Sequence, residues 1–104
     1  MNIGNIIQQE RKRRKYSQSE FAAICKISVT YLSLIETGRK EPAIATLKVI
    51  AEKLQLPLPV LFFLSLDEKD IPEDKKEIYN ILKPSIEATL SNIFAYDKID
   101  DDSM

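Results

Sequence analysis

The sequence predicts an all-α fold, with five short helices followed by one or two further helices toward the C-terminus. Three observations predict it. Apolar residues recur at intervals of three and four along most of the 104-residue chain. Serines stand where helix N-caps are expected, and Gly or Pro stands where helices should end or begin. With 44% hydrophobic residues, 2 Gly and 5 Pro, the composition is that of a folded chain.

The first helix is predicted over residues 2–14, with Asn2 as its N-cap. Ile3, Ile7 and Arg11 are spaced four apart and therefore share one side of this helix. Because Arg11 falls on the apolar stripe, and an unpaired buried charge is costly, this guanidinium needs a carboxylate partner.

The second helix begins at a clear capping signal. Ser17 and Glu20 have the spacing of a capping box, and Tyr16 and Phe21 occupy the two positions of a hydrophobic staple. We expect this helix to continue to about Lys26.

The third helix is predicted over residues 29–37, with Ser28 as its N-cap and Gly38 in a left-handed conformation at its end. At 100° per residue, the residues on the inward arc are Tyr31, Leu32, Ile35 and Glu36. The residues on the outward arc are Val29, Thr30, Ser33 and Thr37, with Leu34 at its edge. The outward arc is uncharged and consists of small hydroxyl and methyl groups, which is unusual for an exposed helix face.

The fourth helix is predicted over residues 44–54, after Pro42. Pro57 and Pro59 suit the first turn of a short fifth helix that carries the apolar residues 60–64.

Four segments follow from this pattern. Residues 1–66 form a predicted domain, residues 67–72 a polar linker, and residues 73–96 a helical segment. Pro84 should kink that segment or divide it into two helices. Residues 97–104 are expected to form a flexible tail.

The composition argues against several classes of function. With one Cys and no His, the chain lacks the usual metal ligands and the commonest general base, so we expect no metal, no cofactor and no enzymatic activity. Cys25 lies at helical spacing from Phe21, which favours a small buried thiol. No apolar run is long enough to span a membrane and no signal segment precedes the basic run, so we expect a cytoplasmic protein.

The charge is divided between the two ends of the chain. Residues 1–56 contain 10 Lys/Arg and 5 Asp/Glu, a net charge of +5. Residues 57–104 contain 5 Lys and 11 Asp/Glu, a net charge of −6. This asymmetry predicts that the front of the molecule meets a polyanion and the rear does not.

Two short helices joined by a tight turn, with the small Ala22 at their crossing, form a helix-turn-helix. The stretch RKRRKYSQSEFAAICKISVTYLSLIETGRKEPAIATLKVIAEKLQLPLPVLF resembles the phage-repressor/Cro-type helix-turn-helix family, also called Xre-like. The resemblance covers about residues 3–64. It implies a five-helix λ-repressor-like domain that binds double-stranded DNA with its third helix in the major groove.

The resemblance also implies roles for individual residues. In relatives, an arginine at the place of Arg11 is bonded to a glutamate at the place of Glu36, a structural pair. Gln18 is expected to contact a DNA phosphate, and Arg39 and Lys40 are well placed for phosphates. The residues expected to read bases are Val29, Thr30, Ser33, Leu34 and Thr37.

The basic run over residues 11–15 has two interpretations apart from Arg11. Its members, Arg14 among them, either neutralise phosphates or form an ordinary solvated helix face.

Three positions depart from the family pattern. Lys26 stands where relatives usually have Gly in the turn. It must therefore adopt a left-handed conformation, at a cost on the order of 1 kcal/mol, or bend the turn differently. Gln55 likewise replaces a frequent Gly, and Ala43 replaces a usual N-cap Ser.

The apolar stripe of residues 73–96 is interpreted either as a cap on the first five helices or as a dimer interface, which Phe62 or Phe63 could join. Family members generally bind two-fold symmetric sites as dimers. The predicted function is therefore a dimeric, sequence-specific transcriptional regulator, such as a repressor or a restriction–modification controller. The alternative is an antitoxin that binds a toxin partner and its own promoter.

Overall fold

The structure is a computed structural model that describes residues 1–94, so the predicted tail lies outside the described residues. These residues form helices and no strand, which confirms the all-α class. The six α-helices are α1 (Ile3–Arg13), α2 (Gln18–Cys25), α3 (Val29–Glu36), α4 (Ile44–Leu54), α5 (Leu58–Leu64) and α6 (Lys76–Phe94). No helix among the described residues is both long and apolar enough to cross a membrane.

The chain divides into two compact units, of which the first is Met1–Leu66 and the second begins at Asp67. The first unit contains α1 to α5. There α3 packs against α1 and α2, and α4 packs against α2 and α5. The large side chains with almost no exposed surface are Phe21, Ile7, Leu32, Ile35, Ile50, Leu54 and Leu61. Each contributes about 1.5–3 kcal/mol when it is removed from water.

The starts of α2 and α3 are capped as predicted. The Ser17 hydroxyl accepts a hydrogen bond from the Glu20 amide at 3.0 Å, and the Glu20 carboxylate accepts one from the Ser17 amide at 2.8 Å. The Tyr16 and Phe21 rings lie 5.6 Å apart between centroids. The Ser28 hydroxyl accepts from the Tyr31 amide at 3.0 Å.

Four helices end in the same way. In each, an amide bonds to the carbonyl five residues earlier, across a residue with positive φ. These residues are Lys15 (φ 64°), Lys26 (φ 60°), Gly38 (φ 78°) and Gln55 (φ 62°). Lys26 and Gln55 thus adopt the left-handed conformation at positions where relatives often have Gly, and Lys15 is a third case, which was not predicted.

The N-caps of α1, α4 and α5 make no side-chain cap bond. Asn2 occupies the predicted N-cap position of α1, but its side chain does not cap the helix. Its backbone amide instead donates to the Ser65 carbonyl at 2.7 Å, which joins the start of α1 to the end of α5. Ala43, at the start of α4, has no side-chain group that could accept a bond.

The second unit differs from the prediction in where its long helix begins. This helix begins at Lys76 rather than residue 73, because Glu73–Lys75 form a 3-10 turn, as do Glu68–Asp70 in the linker. Of the one or two helices predicted here, the structure has one, which continues through Pro84. Proline removes one backbone donor and crowds the carbonyl four residues earlier, and the bonds on either side keep this helix continuous.

Gly4 fixes the distance between α1 and α3. It is buried, and a Cβ built on it would overlap the carbonyl oxygen of Ile35 in the last turn of α3. Any other side chain at this position would push the two helices apart.

Candidate nucleic-acid interface

The outward face of α3 is a small, uncharged surface. Val29 is 42% exposed, Thr30 and Thr37 are exposed, and Ser33 and Leu34 are half-buried. All five residues predicted to read bases therefore lie at the surface of this helix. The opposite side of α3 is buried through Leu32, Ile35 and Glu36.

The turn between α2 and α3 holds α3 against α2. Ala22 is 1% exposed where the two helices pack together. The amide of Ile27 donates to the Ala22 carbonyl at 3.0 Å, across the left-handed Lys26. The orientation of α3 is thus set by the end of α2.

Arg11 and Glu36 form a buried ion pair that joins α1 to the end of α3. Arg11 Nε donates to Glu36 Oε2 at 2.7 Å, and Arg11 Nη2 donates to Glu36 Oε1 at 3.0 Å. The side chains are 6% and 0% exposed. A third donor, Arg11 Nη1, bonds to the Tyr16 carbonyl at 2.7 Å. The pair that the family resemblance implied is therefore bonded in two-point geometry.

Glu36 receives two further hydrogen bonds. Gln18 Nε2 donates to Glu36 Oε1 at 3.0 Å, and Gln8 Nε2 reaches the same oxygen at 3.4 Å. Gln18, which was predicted to contact phosphate, thus links the first turn of α2 to Glu36 at the C-terminal end of α3. Gln8 was not predicted at all, although it lies one turn from Arg11 on α1. We call these four side chains, Gln8, Arg11, Gln18 and Glu36, the Glu36 cluster.

The basic run is largely engaged within α1. Arg13 Nη2 and Arg14 Nη1 donate to Glu10 Oε1 at 2.8 and 2.7 Å, and Arg14 Nη1 also donates to the Glu10 carbonyl at 2.9 Å. The Glu10 side chain is only 7% exposed. Lys12 and Lys15 are exposed. The Arg14 guanidinium is therefore already bonded to Glu10, a carboxylate that the sequence prediction overlooked.

Two basic residues follow α3 on a well-fixed loop. Arg39 and Lys40 are exposed, and both of their amides donate to the Leu34 carbonyl, at 2.9 and 3.1 Å. The Lys40 ammonium lies 5.9 Å from the centroid of the Tyr31 ring, within range of a cation–π interaction. Both cations thus stand beside the C-terminal end of the outward face.

Cys25 belongs to the core, as predicted. It is 4% exposed. Burial raises the pKa of its thiol to about 11, although the charge of Lys53 acts in the opposite direction. A thiol with such a pKa stays protonated near neutral pH and is a poor nucleophile.

Comparison with known proteins adds independent evidence. A helix-turn-helix family model matches residues 7–61. The immunity repressor protein of Bacillus phage phi105 is 30% identical over 97 residues, which cover 82% of this chain and 67% of the repressor. The transcriptional regulator ClgR of Mycobacterium tuberculosis is 37% identical over 59 residues, 57% of this chain and 53% of ClgR. The HTH-type transcriptional regulator SlrR of Bacillus subtilis is 39% identical over 61 residues, 58% of this chain and 40% of SlrR.

This chain thus spans about half the length of ClgR and less than half that of SlrR. The matches to both are no longer than the first five helices, whereas the alignment with the phage repressor is long enough to include part of the second unit.

Proposed function

Since the chain belongs to the Xre-like helix-turn-helix family, we propose that it binds DNA in a sequence-specific manner and regulates transcription by occupying an operator. The observation that carries this proposal is the outward face of α3, which is exposed and uncharged and is supported from behind by the Glu36 cluster. A helix presented in this way fits the major groove of B-DNA. Such a regulator works in the cytoplasm and needs neither a cofactor nor catalysis.

The charges around α3 support the same function. Arg39 and Lys40 stand at one end of the outward face, where they would contact phosphates on the groove's edge. The first turn of α2 would approach the backbone as well, with Gln18 bracing α3 and the helix N-terminus attracting phosphate. Arg14 would add attraction at longer range.

We further propose that the regulator is a dimer on a two-fold symmetric operator, and that α6 forms its interface. No residue of α6 is buried in the single chain. The large apolar residues that it exposes are Ile78 (56%), Ile81 (66%), Leu82 (48%), Ile86 (39%) and Ile93 (63%). An apolar stripe of this length is typical of an interaction surface. The net charge of −6 over residues 57–104 disfavours contact with phosphates, whereas α6 itself has two Lys and two Glu and therefore no net charge that would repel a second copy.

The same stripe also favours a second candidate function. In an antitoxin, the acidic second unit would bind a toxin, and the first unit would bind the promoter of both genes. Purification of the protein from its native source would separate the two: a regulator is recovered as a homodimer, whereas an antitoxin is recovered with a second, different chain.

The direct test of DNA binding is a selection from random duplexes. We expect the full chain to enrich a palindrome whose half-sites are about one helical turn apart. Thr30→Ala and Ser33→Ala should each enrich an altered half-site, because both hydroxyls face the bases in the proposed complex. If no sequence is enriched, sequence-specific binding is wrong; if both variants enrich the original half-site, α3 is not the reading helix.

A further inference from the structure

The residues of α3 lack the side chains that usually distinguish one base pair from another. Two-point contacts to guanine require Arg or Lys, and those to adenine require Asn or Gln. None of these occurs in Val29–Glu36 or at Thr37. The only charged residue, Glu36, is buried and accepts hydrogen bonds from Arg11, Gln18 and Gln8.

The hydroxyl groups of this segment offer little discrimination either. Thr37 Oγ1 donates to the Ser33 carbonyl at 2.9 Å, so its proton is engaged within the helix. Ser28 is used as the N-cap. Tyr31 lies on the inward arc, so the outward face is left with the hydroxyls of Thr30 and Ser33, which bond to no other group among residues 1–94. A single hydroxyl can donate or accept, and is therefore compatible with several bases.

Val29 is different, because the folded chain gains no stability from exposing a valine side chain to water. It is the first residue of α3, it is 42% exposed, and β-branched residues are poor helix formers. Residues at the N-terminal end of a reading helix are the ones that contact base edges. The only apolar group that the four unmodified bases present in the major groove is the C5-methyl group of thymine.

We propose that α3 reads the C5-methyl groups of pyrimidines, and that Val29 is the residue that determines this specificity. The inference rests on the proposed function and names what the DNA-binding face selects. The half-site then contains thymine, or a cytosine methylated at C5, under the first turn of α3. The hydroxyls of Thr30 and Ser33 add hydrogen bonds that tolerate the neighbouring bases.

The test uses the duplex enriched by the selection, with each thymine of the half-site replaced in turn by deoxyuridine. Deoxyuridine pairs in the same way and lacks only the methyl group. We expect roughly fourfold weaker binding for each contacted methyl that is removed, the ratio typical of one buried methyl or methylene group. A duplex with a C·G pair at the same position should bind weakly. If the methyl group alone is read, replacing that cytosine by 5-methylcytosine should restore part of the lost affinity.

The matched variants are Val29→Ala and Val49→Ala, the second of which changes a half-buried valine on α4. Val29→Ala should reduce the difference in affinity between the thymine and deoxyuridine duplexes, because alanine retains only one methyl group, whereas Val49→Ala should keep the full difference. Thermal unfolding of both variants reports whether they are folded.

Two failures can be told apart. A protein that binds an enriched sequence but ignores the loss of every thymine methyl overturns the methyl reading and leaves the proposed function intact. A protein that enriches no sequence overturns both. A difference that is undiminished in Val29→Ala would also contradict the proposal, because another residue would then make the contact.

Discussion

Single residues decide how firmly α3 is held, and Glu36 holds it most firmly. Its carboxylate accepts hydrogen bonds from α1 and α2 at the C-terminal end of α3. The sequence could predict that Arg11 needs a carboxylate, since its guanidinium lies on an apolar stripe, and the family resemblance implied that this carboxylate is Glu36. It could not predict Gln8 or Glu10, because a polar residue on a helix carries no periodic signal that tells a buried bond from a solvated face.

Arg11→Met is expected to destabilise the fold strongly. The substitution leaves the Glu36 carboxylate buried without its cation, and removing one partner of a buried pair typically costs about 3–5 kcal/mol. Urea unfolding followed by circular dichroism measures the loss. The control is Arg39→Met, an exposed position at which we expect a change within about 0.5 kcal/mol. Equal losses in both variants would mean that the ion pair contributes nothing particular.

Arg39→Ala and Lys40→Ala should weaken binding to every DNA sequence to a similar extent. Each removes one phosphate contact in the proposed complex, so the slope of log K against log salt should flatten by about one unit. Fluorescence anisotropy at several salt concentrations measures the slope. Lys48→Ala, an exposed lysine on α4, is the control and should leave the slope unchanged. A changed base preference in either loop variant would contradict the assignment to phosphate.

At the scale of the elements, local sequence predicted where most helices begin and end. The capping box of α2, the Ser28 cap of α3, the staple and Gly38 are signals that act within a few residues, and the structure bears them out. One feature escaped this reasoning. Gly4 approaches Ile35 across a tertiary contact that no local pattern encodes.

Lys26→Gly should stabilise the protein slightly. A left-handed conformation costs a residue with a Cβ about 1–2 kcal/mol, and glycine avoids this strain. Glycine also makes the unfolded chain more flexible, which lowers the stability of the folded protein by about 0.4–1 kcal/mol. The expected net gain is several tenths of a kcal/mol, visible as a higher Tm. Lys48→Gly is the matched control within a helix, and there we expect a loss of about 1 kcal/mol. A loss at Lys26 as well would indicate that its side chain makes contacts that outweigh the strain.

At the scale of the whole molecule, the two units have opposite charges and different surfaces. The first unit has the uncharged outward face of α3 above a packed core, and the second has an acidic sequence and a helix, α6, with an exposed apolar stripe. We interpret this as a division of labour in which the first unit binds DNA and the second binds another copy. Composition alone predicted the charge asymmetry, whereas the choice between a cap and an interface depends on contacts that a single sequence does not reveal.

Leu82→Asp should produce a monomer. Each dimer would lose two buried leucines, about 3–6 kcal/mol, which weakens dimerisation more than a hundredfold. Sedimentation equilibrium measures the dissociation constant, and operator affinity should fall with it. Ser91→Asp adds the same charge on the other side of α6 by the 3.6-residue period, and this variant should remain a dimer. A wild-type chain that is monomeric at every concentration would rule out the α6 interface.

The hydrogen bonds from Arg13 and Arg14 to Glu10 have a consequence for the search along a chromosome. The single carboxylate offsets one of the two positive charges that would otherwise attract any stretch of polymer. In the proposed complex, random sequence would therefore retain the molecule more briefly than it would without Glu10, and a greater share of the molecules would be free to find the target at any moment.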